Sequence, residues 1–273
     1  MTTTPTASYG ILQQNRCDSA LDEAVEQVKN LGYAVIDAGY TADELQGLSE
    51  EFNRTRASYV ETHGESRLKS LNEFHTIRSP LTHGGAAFLN LALNDNLLSI
   101  LKKLIAGKFI LNQQNGIINP PQEGYNQGAW HRDLPYQHFV SSQPLAINAL
   151  FCVDDFTFEN GATFVLPASH KAEAFPSANY VQRNAVQVAA KTGSFILLDC
   201  MVFHTGGFNN TTEVRRAVNH VYTIPFFKQQ ISIPMNMMQR DKLSAEAKDL
   251  LGFNYMEPAS VADYLATRNA KTY

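Results

Sequence analysis

From Lys108 onward the chain falls into short apolar or alternating runs: "KFILNQQNGIINP", "LAINALFCVDDF", "ATFVLPASH", "AVQVAAKTGSFILLD" and "RAVNHVYTIPF". Gly, Pro, Asn and Asp separate them, so each run reads as a strand and each break as a turn. Roughly a hundred residues of this pattern must bury their apolar faces against one another, which predicts a sandwich or jelly roll. Asn160-Gly161 lies between two such runs, and both residue types tolerate positive φ, so a type I′ hairpin is expected there.

The flanks read differently. "SALDEAVEQVKNLG" places Leu21, Ala24, Val25 and Val28 at helical spacing after Ser19, with Gly32 set to end the helix. "YAVIDAG" is a short β-rich run, and Thr41 with Glu44 has capping-box spacing before a helix carrying Leu45, Leu48 and Phe52 on one face. A further helix is expected over "NDNLLSILKKLIAG", and helical patterning returns from about Gln229, with Ser260 and Asp263 at capping-box spacing. The expected organisation is one domain over 1–273: a mainly helical region 1–107, a β core 108–228 and a helical segment 229–273.

At 273 residues and 44% hydrophobic, the chain can bury a full core. A net charge of -4 without a Lys/Arg cluster argues against nucleic acid or an anionic membrane as partner, and for a small molecule. Cys17, Cys152 and Cys200 have no paired spacing and read as buried apolar fillers in a reducing compartment. The polar start and the lack of a long apolar run predict a cytoplasmic location, in which the Asn209 and Asn210 sequons only mark a polar loop.

"WHRDLPYQHF" carries the chemistry. Residues two apart on an extended strand point the same way, so His131 and Asp133 converge while Arg132 points away as a spacer. A histidine from another strand would complete a two-histidine, one-carboxylate facial set, which leaves positions open and is diagnostic of non-haem Fe(II) oxygen chemistry. His204 is the candidate: it follows the buried run "GSFILLDCMVF" and precedes Gly206-Gly207, where backbone can turn closely around a site. On the strand beginning at Arg215, that residue shares a face with Ala217, Asn219 and Val221, and Arg216, Val218 and His220 share the other. A buried inward arginine calls for an anion, such as a dicarboxylate.

"WHRD", "FENGATFVLPASHK", "GSFILLDCMVFHTGG" and "NNTTEVRRAVNHVY", in that order, resemble the phytanoyl-CoA dioxygenase family of Fe(II)/2-oxoglutarate-dependent oxygenases. The resemblance spans roughly Gln113 to Phe226. It implies a double-stranded β-helix, cupin-like jelly-roll core, with Fe(II) as cofactor and 2-oxoglutarate and O2 as cosubstrates. It makes His131, Asp133 and His204 the metal ligands and catalytic centre, and Arg215 the partner of the distal carboxylate of 2-oxoglutarate. It places Gln113 or Gln114, in a register left open, near the cosubstrate, and Thr205 is this chain's candidate to supply a cosubstrate hydroxyl. It also implies a hydroxyl two residues after the distal histidine, where this chain has Gly206. The activity implied is oxidation of a small metabolite with release of succinate and CO2, hydroxylation being favoured and desaturation or another oxidative outcome left open. Halogenation is disfavoured, because halogenating relatives lack the carboxylate that Asp133 supplies.

Tyr136, Gln137 and Phe139 directly follow the metal-binding strand and are expected to contact substrate, as is Asn219 on the Arg215 face. His138 reads as a pocket-rim or surface residue, since a fourth ligand would block oxygen or cosubstrate. His170 reads as part of a structural turn, while His63, His75 and His83 read as ordinary, although "NEFHTIRSP" could form a lid. Asp154, Asp155 and Glu159 read as a solvated acidic stretch. The alternative function is a metal-binding β-barrel sensor without turnover, which fold alone does not exclude.

Overall fold

The computed structural model describes residues 7–83, 85–134, 140–237 and 240–269. The chain runs through α1 (Ala20–Leu31), β1 (Tyr33–Asp37), α2 (Ala42–His63), α3 (Glu65–Ser70), β2 (Thr76–Arg78), α4 (Ala86–Ala92) and α5 (Asp95–Leu104). The β-rich part follows: β3 (Ile110–Asn119), β4 (Ala146–Cys152), β5 (Phe164–Val165), α6 (Ala178–Asn184), β6 (Val186–Gln187), β7 (Ser194–Asp199), β8 (His204–Thr205) and β9 (Arg215–Thr223). Short helices α7 (Ile233–Asn236), α8 (Ala245–Leu250) and α9 (Val261–Asn269) come after it.

The helix signals act where the sequence puts them. Ser19 Oγ accepts the Asp22 N–H at 3.2 Å to open α1, and Gly32 ends it at φ +86°, a left-handed conformation costly for a side-chain-bearing residue. Thr41 and Glu44 form the reciprocal capping box of α2, which buries Leu48 and Phe52. Each such buried side chain contributes roughly 1.5–3 kcal/mol.

The strands form a six-stranded sheet, order β1-β7-β4-β9-β3-β2, and a three-stranded sheet, order β6-β5-β8, with every paired neighbour antiparallel. Together they make the jelly roll. Alternation along the central strands sorts two cores. Ile147, Ala149 and Phe151 of β4, Phe195 and Leu197 of β7, and Val218 and Tyr222 of β9 pack under the helices. Leu150 and Cys152, Ile196 and Leu198, and Ala217 face inward between the sheets, where Val165 and Val202 join them. Because both faces of the large sheet are covered, its strands read as nearly continuous apolar runs.

Several local expectations are corrected. Gly161 has φ +77°, but Asn160 is not in the positive-φ region, so the turn is not type I′. Instead Asn160 Oδ1 accepts from Thr157 N, its Nδ2 donates to the Asp155 carbonyl, and Ala162 N closes onto Thr157 O. Thr76–Arg78 is an edge strand on β3 rather than part of a lid. Asp154 and Asp155 are not simply solvated: Asp154 accepts from the backbone N–H and guanidinium of Arg216, and Asp155 from Thr192 and Lys191. Glu159 is exposed as expected. Cys152 and Cys200 are buried, but Cys17 is exposed. Asn209 is fully buried, bonded to Asn119 and Glu213 carbonyls, so its loop is pinned from inside. Among the described residues, no helix is long and apolar enough to cross a membrane.

His220, on the helix-facing side of β9, is fully buried. Its Nδ1 lies 3.1 Å from the Ala149 carbonyl, which can only accept, so the proton sits on Nδ1 and Nε2 is left to accept from Gln114 Nε2 at 2.8 Å. Burial pushes this imidazole down to about 4, with the Ala149 carbonyl opposing. An unfolded chain protonates it near pH 6.5, so between about 6.5 and 4 protons favour unfolding, and stability falls as pH falls through that window. The contribution is roughly 3 kcal/mol across the full window. His220→Gln is therefore expected to flatten the loss of urea stability between about pH 7 and about pH 5. Parallel pH dependences in wild type and variant would contradict a neutral buried His220.

Candidate metal centre and adjoining cavity

The extended stretch expected over residues 131–133 is reduced to a single bridge. His131 N donates to His204 O at 3.0 Å and His204 N returns to His131 O at 3.1 Å, after which Asp133 N donates to Cys200 O at 3.1 Å. These bonds hold the histidine segment against β8 and the turn before it. The side chains still part as alternation requires, but Arg132 is more than a spacer. Its guanidinium donates to the carbonyls of Met201, Ser169, Ala172 and Glu173 and lies 3.9 Å over the Phe203 ring.

His131, Asp133 and His204 present ligand atoms that all lie within 4.8 Å of one another. Asp133 Oδ1 is 3.9 Å from His131 Nε2 and 3.6 Å from His204 Nε2. Those separations are too long for good hydrogen bonds, yet short enough for each pair to reach a shared ion at about 2 Å per ligand. The imidazoles are set for this: His131 Nδ1 donates to Ala129 O at 2.7 Å and His204 Nδ1 to Val202 O at 3.1 Å, leaving both Nε2 lone pairs toward the carboxylate. Asn148 Nδ2 donates to Asp133 Oδ2 at 2.7 Å and so orients the other oxygen toward the histidines. The donor set fits a divalent metal.

The electrostatics agree with that reading. Burial would raise the Asp133 carboxyl, but His204, His131 and Asn148 outweigh it and hold it below its ordinary value. His204 titrates above its ordinary value because Asp133 outweighs burial, whereas burial, reinforced by His204, lowers the more open His131. A carboxylate kept ionised between two imidazoles is a cation site.

A cavity lined by His131 and His204 is walled by Ile117, Leu150 and Leu198, and Arg215 lines it as well. Arg215 is 2% exposed. Its Nη2 donates to Gly161 O at 3.0 Å and contacts Tyr125 Oη at 3.4 Å, its guanidinium carbon stands 3.9 Å over the Phe156 ring, and its Nε has no partner among the described residues. Among the described residues no carboxylate pairs with it, and burial lowers its pKa. The expected faces of β9 hold: Arg215 and Asn219 line the cavity, while Arg216 turns to Asp154 and His220 to Gln114. The buried Asn219 Oδ1 also lacks a partner among the described residues.

The remaining expectations divide. β3 pairs Gln113 with Val221 and Gln114 with His220, so Gln113 is on the cavity side of the sheet and Gln114 is not. Gln114 is consumed by Leu81 N, Phe88 O and His220, which removes it from the cosubstrate. Gln113 stands beyond Asn115, whose amide donates to it at 3.4 Å, and is not among the residues lining the cavity. The Thr205 hydroxyl donates to the carbonyls of Gln127 and Gly206, and Thr205 is not among the residues lining the cavity. Tyr136, Gln137, His138 and Phe139 lie outside the described residues. His170 is buried against Lys29 O, far from ligand duty. Sequence reasoning missed Asn148 and Tyr125. Asn148 had a signal, as the one amide in the buried run "AINALFC"; Tyr125, in a Gly-flanked loop, had none.

A jelly roll with two histidines and one carboxylate beside a cavity that a buried arginine lines has the architecture of the non-haem iron oxygenases. The family model for phytanoyl-CoA dioxygenase matches residues 28–217, and the chain belongs to that family of Fe(II)/2-oxoglutarate-dependent oxygenases. An uncharacterised protein of Mycobacterium tuberculosis is 28% identical over 263 residues, covering 94% of this chain and 95% of its own. EctD from S. alaskensis, in a crystal structure with 2-oxoglutarate and 5-hydroxyectoine, is similar with a TM-score of 0.64 at 20% identity, over 78% of this chain and 80% of that one. The epimerase SnoN, in complex with Fe3+, alpha ketoglutarate and nogalamycin RO, is similar with a TM-score of 0.58 at 18% identity, over 76% and 84%.

Removing the Asn148 amide strips Asp133 of the hydrogen bond that orients it. Asn148→Ala is expected to weaken divalent-metal binding tenfold to a hundredfold, roughly the cost of losing an outer-shell partner. Anaerobic Fe(II) titration of folded variant and wild type measures this, and equal affinities would remove Asn148 from the metal centre.

Proposed function

We propose that this chain is a dioxygenase that binds Fe(II) through His131, Asp133 and His204, anchors 2-oxoglutarate on Arg215 and hydroxylates a small metabolite. The observation that carries this reading is Arg215: a guanidinium 2% exposed, its Nε unpartnered among the described residues, lining the same cavity as His131 and His204. Leaving such a charge dry and unmatched is costly, and a carboxylate entering beside it offsets that cost with charge-assisted hydrogen bonds. A dicarboxylate with its other end at the histidines satisfies both ends of the cavity.

The chain's own groups then have defined tasks. The Nδ1 bonds to Ala129 and Val202 fix the orientation of both imidazoles with Nε2 toward Asp133, and Asn148 keeps Asp133 from rotating. Ile117, Leu150 and Leu198 keep water from the cosubstrate's carbon chain. Asn219, with a free Oδ1 on the cavity wall, is placed to orient a donor group of a ligand. Iron bound at this site supplies dioxygen activation coupled to decarboxylation of 2-oxoglutarate to succinate and CO2. Asp133 occupies the position that halogenating relatives leave without a carboxylate, which supports hydroxylation.

Anaerobic addition of Fe(II) and 2-oxoglutarate is expected to give the weak visible charge-transfer band of the chelate. Arg215→Ala should weaken 2-oxoglutarate binding roughly tenfold to a hundredfold, the range for a hydrogen bond to a charged group. His204→Ala should abolish succinate release. A folded, metal-loaded wild type without the band would favour the metal-binding sensor instead.

A further inference from the structure

Gly206 lines the cavity two residues after His204, and the space a side chain would take there is already filled. A Cβ on Gly206 would overlap the Tyr125 hydroxyl and crowd the ring carbon that bears it. The backbone makes this approach deliberate: Gly206 N donates to Gln127 O at 2.9 Å, and the Gly128 N to Tyr125 O turn presents the ring inward. The ring packs against the apolar core between the sheets.

Among the described residues the phenol hydrogen-bonds only with Arg215. Its oxygen accepts from Arg215 Nη2 at 3.4 Å, a long contact that a ligand oxygen could bridge, and its own proton has no acceptor among the described residues. Burial raises this phenol above its ordinary value, although Arg215 opposes the shift, so the hydroxyl stays protonated at neutral pH. A guanidinium with a free Nε and a phenol with a free proton, side by side in a buried pocket, form a convergent donor set for a carboxylate.

We propose that Tyr125 is a second anchor for the distal carboxylate of 2-oxoglutarate, beside Arg215, and that Gly206 lacks a side chain so that this phenol can occupy its place. The proposal rests on the cosubstrate reading given above. It gives Tyr125 a role in cosubstrate selection, since a 2-oxo acid without the second carboxylate would leave the phenol unmatched.

Tyr125→Phe removes one oxygen and keeps the ring. In anaerobic Fe(II)-loaded protein, the 2-oxoglutarate dissociation constant read from the charge-transfer band is expected to rise about tenfold, with Fe(II) affinity unchanged. Binding of 2-oxopentanoate, equal in chain length but without the distal carboxylate, should be the same in both proteins. Gly206→Ala should weaken 2-oxoglutarate binding in wild type but add little in a Tyr125→Ala background, because the two residues share one space. Equal 2-oxoglutarate affinity in wild type and Tyr125→Phe overturns the proposal and leaves the cosubstrate reading standing. A parallel loss for both 2-oxo acids makes Tyr125 a packing residue and also overturns it. No chelate in wild type overturns both.

Discussion

β9 is buried on both faces and carries Arg215, Arg216 and His220 in its middle and at its start. A strand in that position tolerates such residues only where each finds a partner, so the matching of these three sets the arrangement around them. Arg216 is met by Asp154, His220 by Gln114 and the Ala149 carbonyl. Arg215 is the exception, and the cavity lies where its match is missing. The site is thus where the strand departs from that rule, at Arg215 and at the unpartnered Oδ1 of Asn219.

The same two-sidedness explains what the sequence reveals. The faces of β9 follow from alternation alone, as does the convergence of His131 with Asp133, because a period of two is fixed by backbone geometry. Helix starts at Ser19 and Thr41 are legible because the capping groups sit a fixed three residues from their partners. His204 is legible from its place between a buried run and two glycines, and the motif order then narrows its chemistry to one family.

What stays hidden depends on contacts between segments distant in sequence. Arg132 looks like a spacer until Met201 and the turn after Ser169 deliver four carbonyls to it. Asp154 looks solvated until Arg216 arrives from β9, and Asn160-Gly161 looks like a tight hairpin until the Asn160 side chain closes the turn by itself. The choice between Gln113 and Gln114 needed the pairing of β3 with β9, which is irregular between Leu111 and Gln113. Nothing near Tyr125 in the sequence hints at Gly206, since the two meet only through the fold.

The short segment around His131 is tied to residues 200–204 at successive points: Asp133 N to Cys200 O, the Arg132 side chain to Met201 O, and His131 and His204 to each other. Two strings knotted together at matching intervals cannot change length independently. Insertion of a single residue in either would break the register of the other, so heritable variation in length is barred from both segments at once. The evolutionary freedom to reshape such a protein for new substrates must therefore lie in the chain outside these two stretches, while their spacing stays fixed.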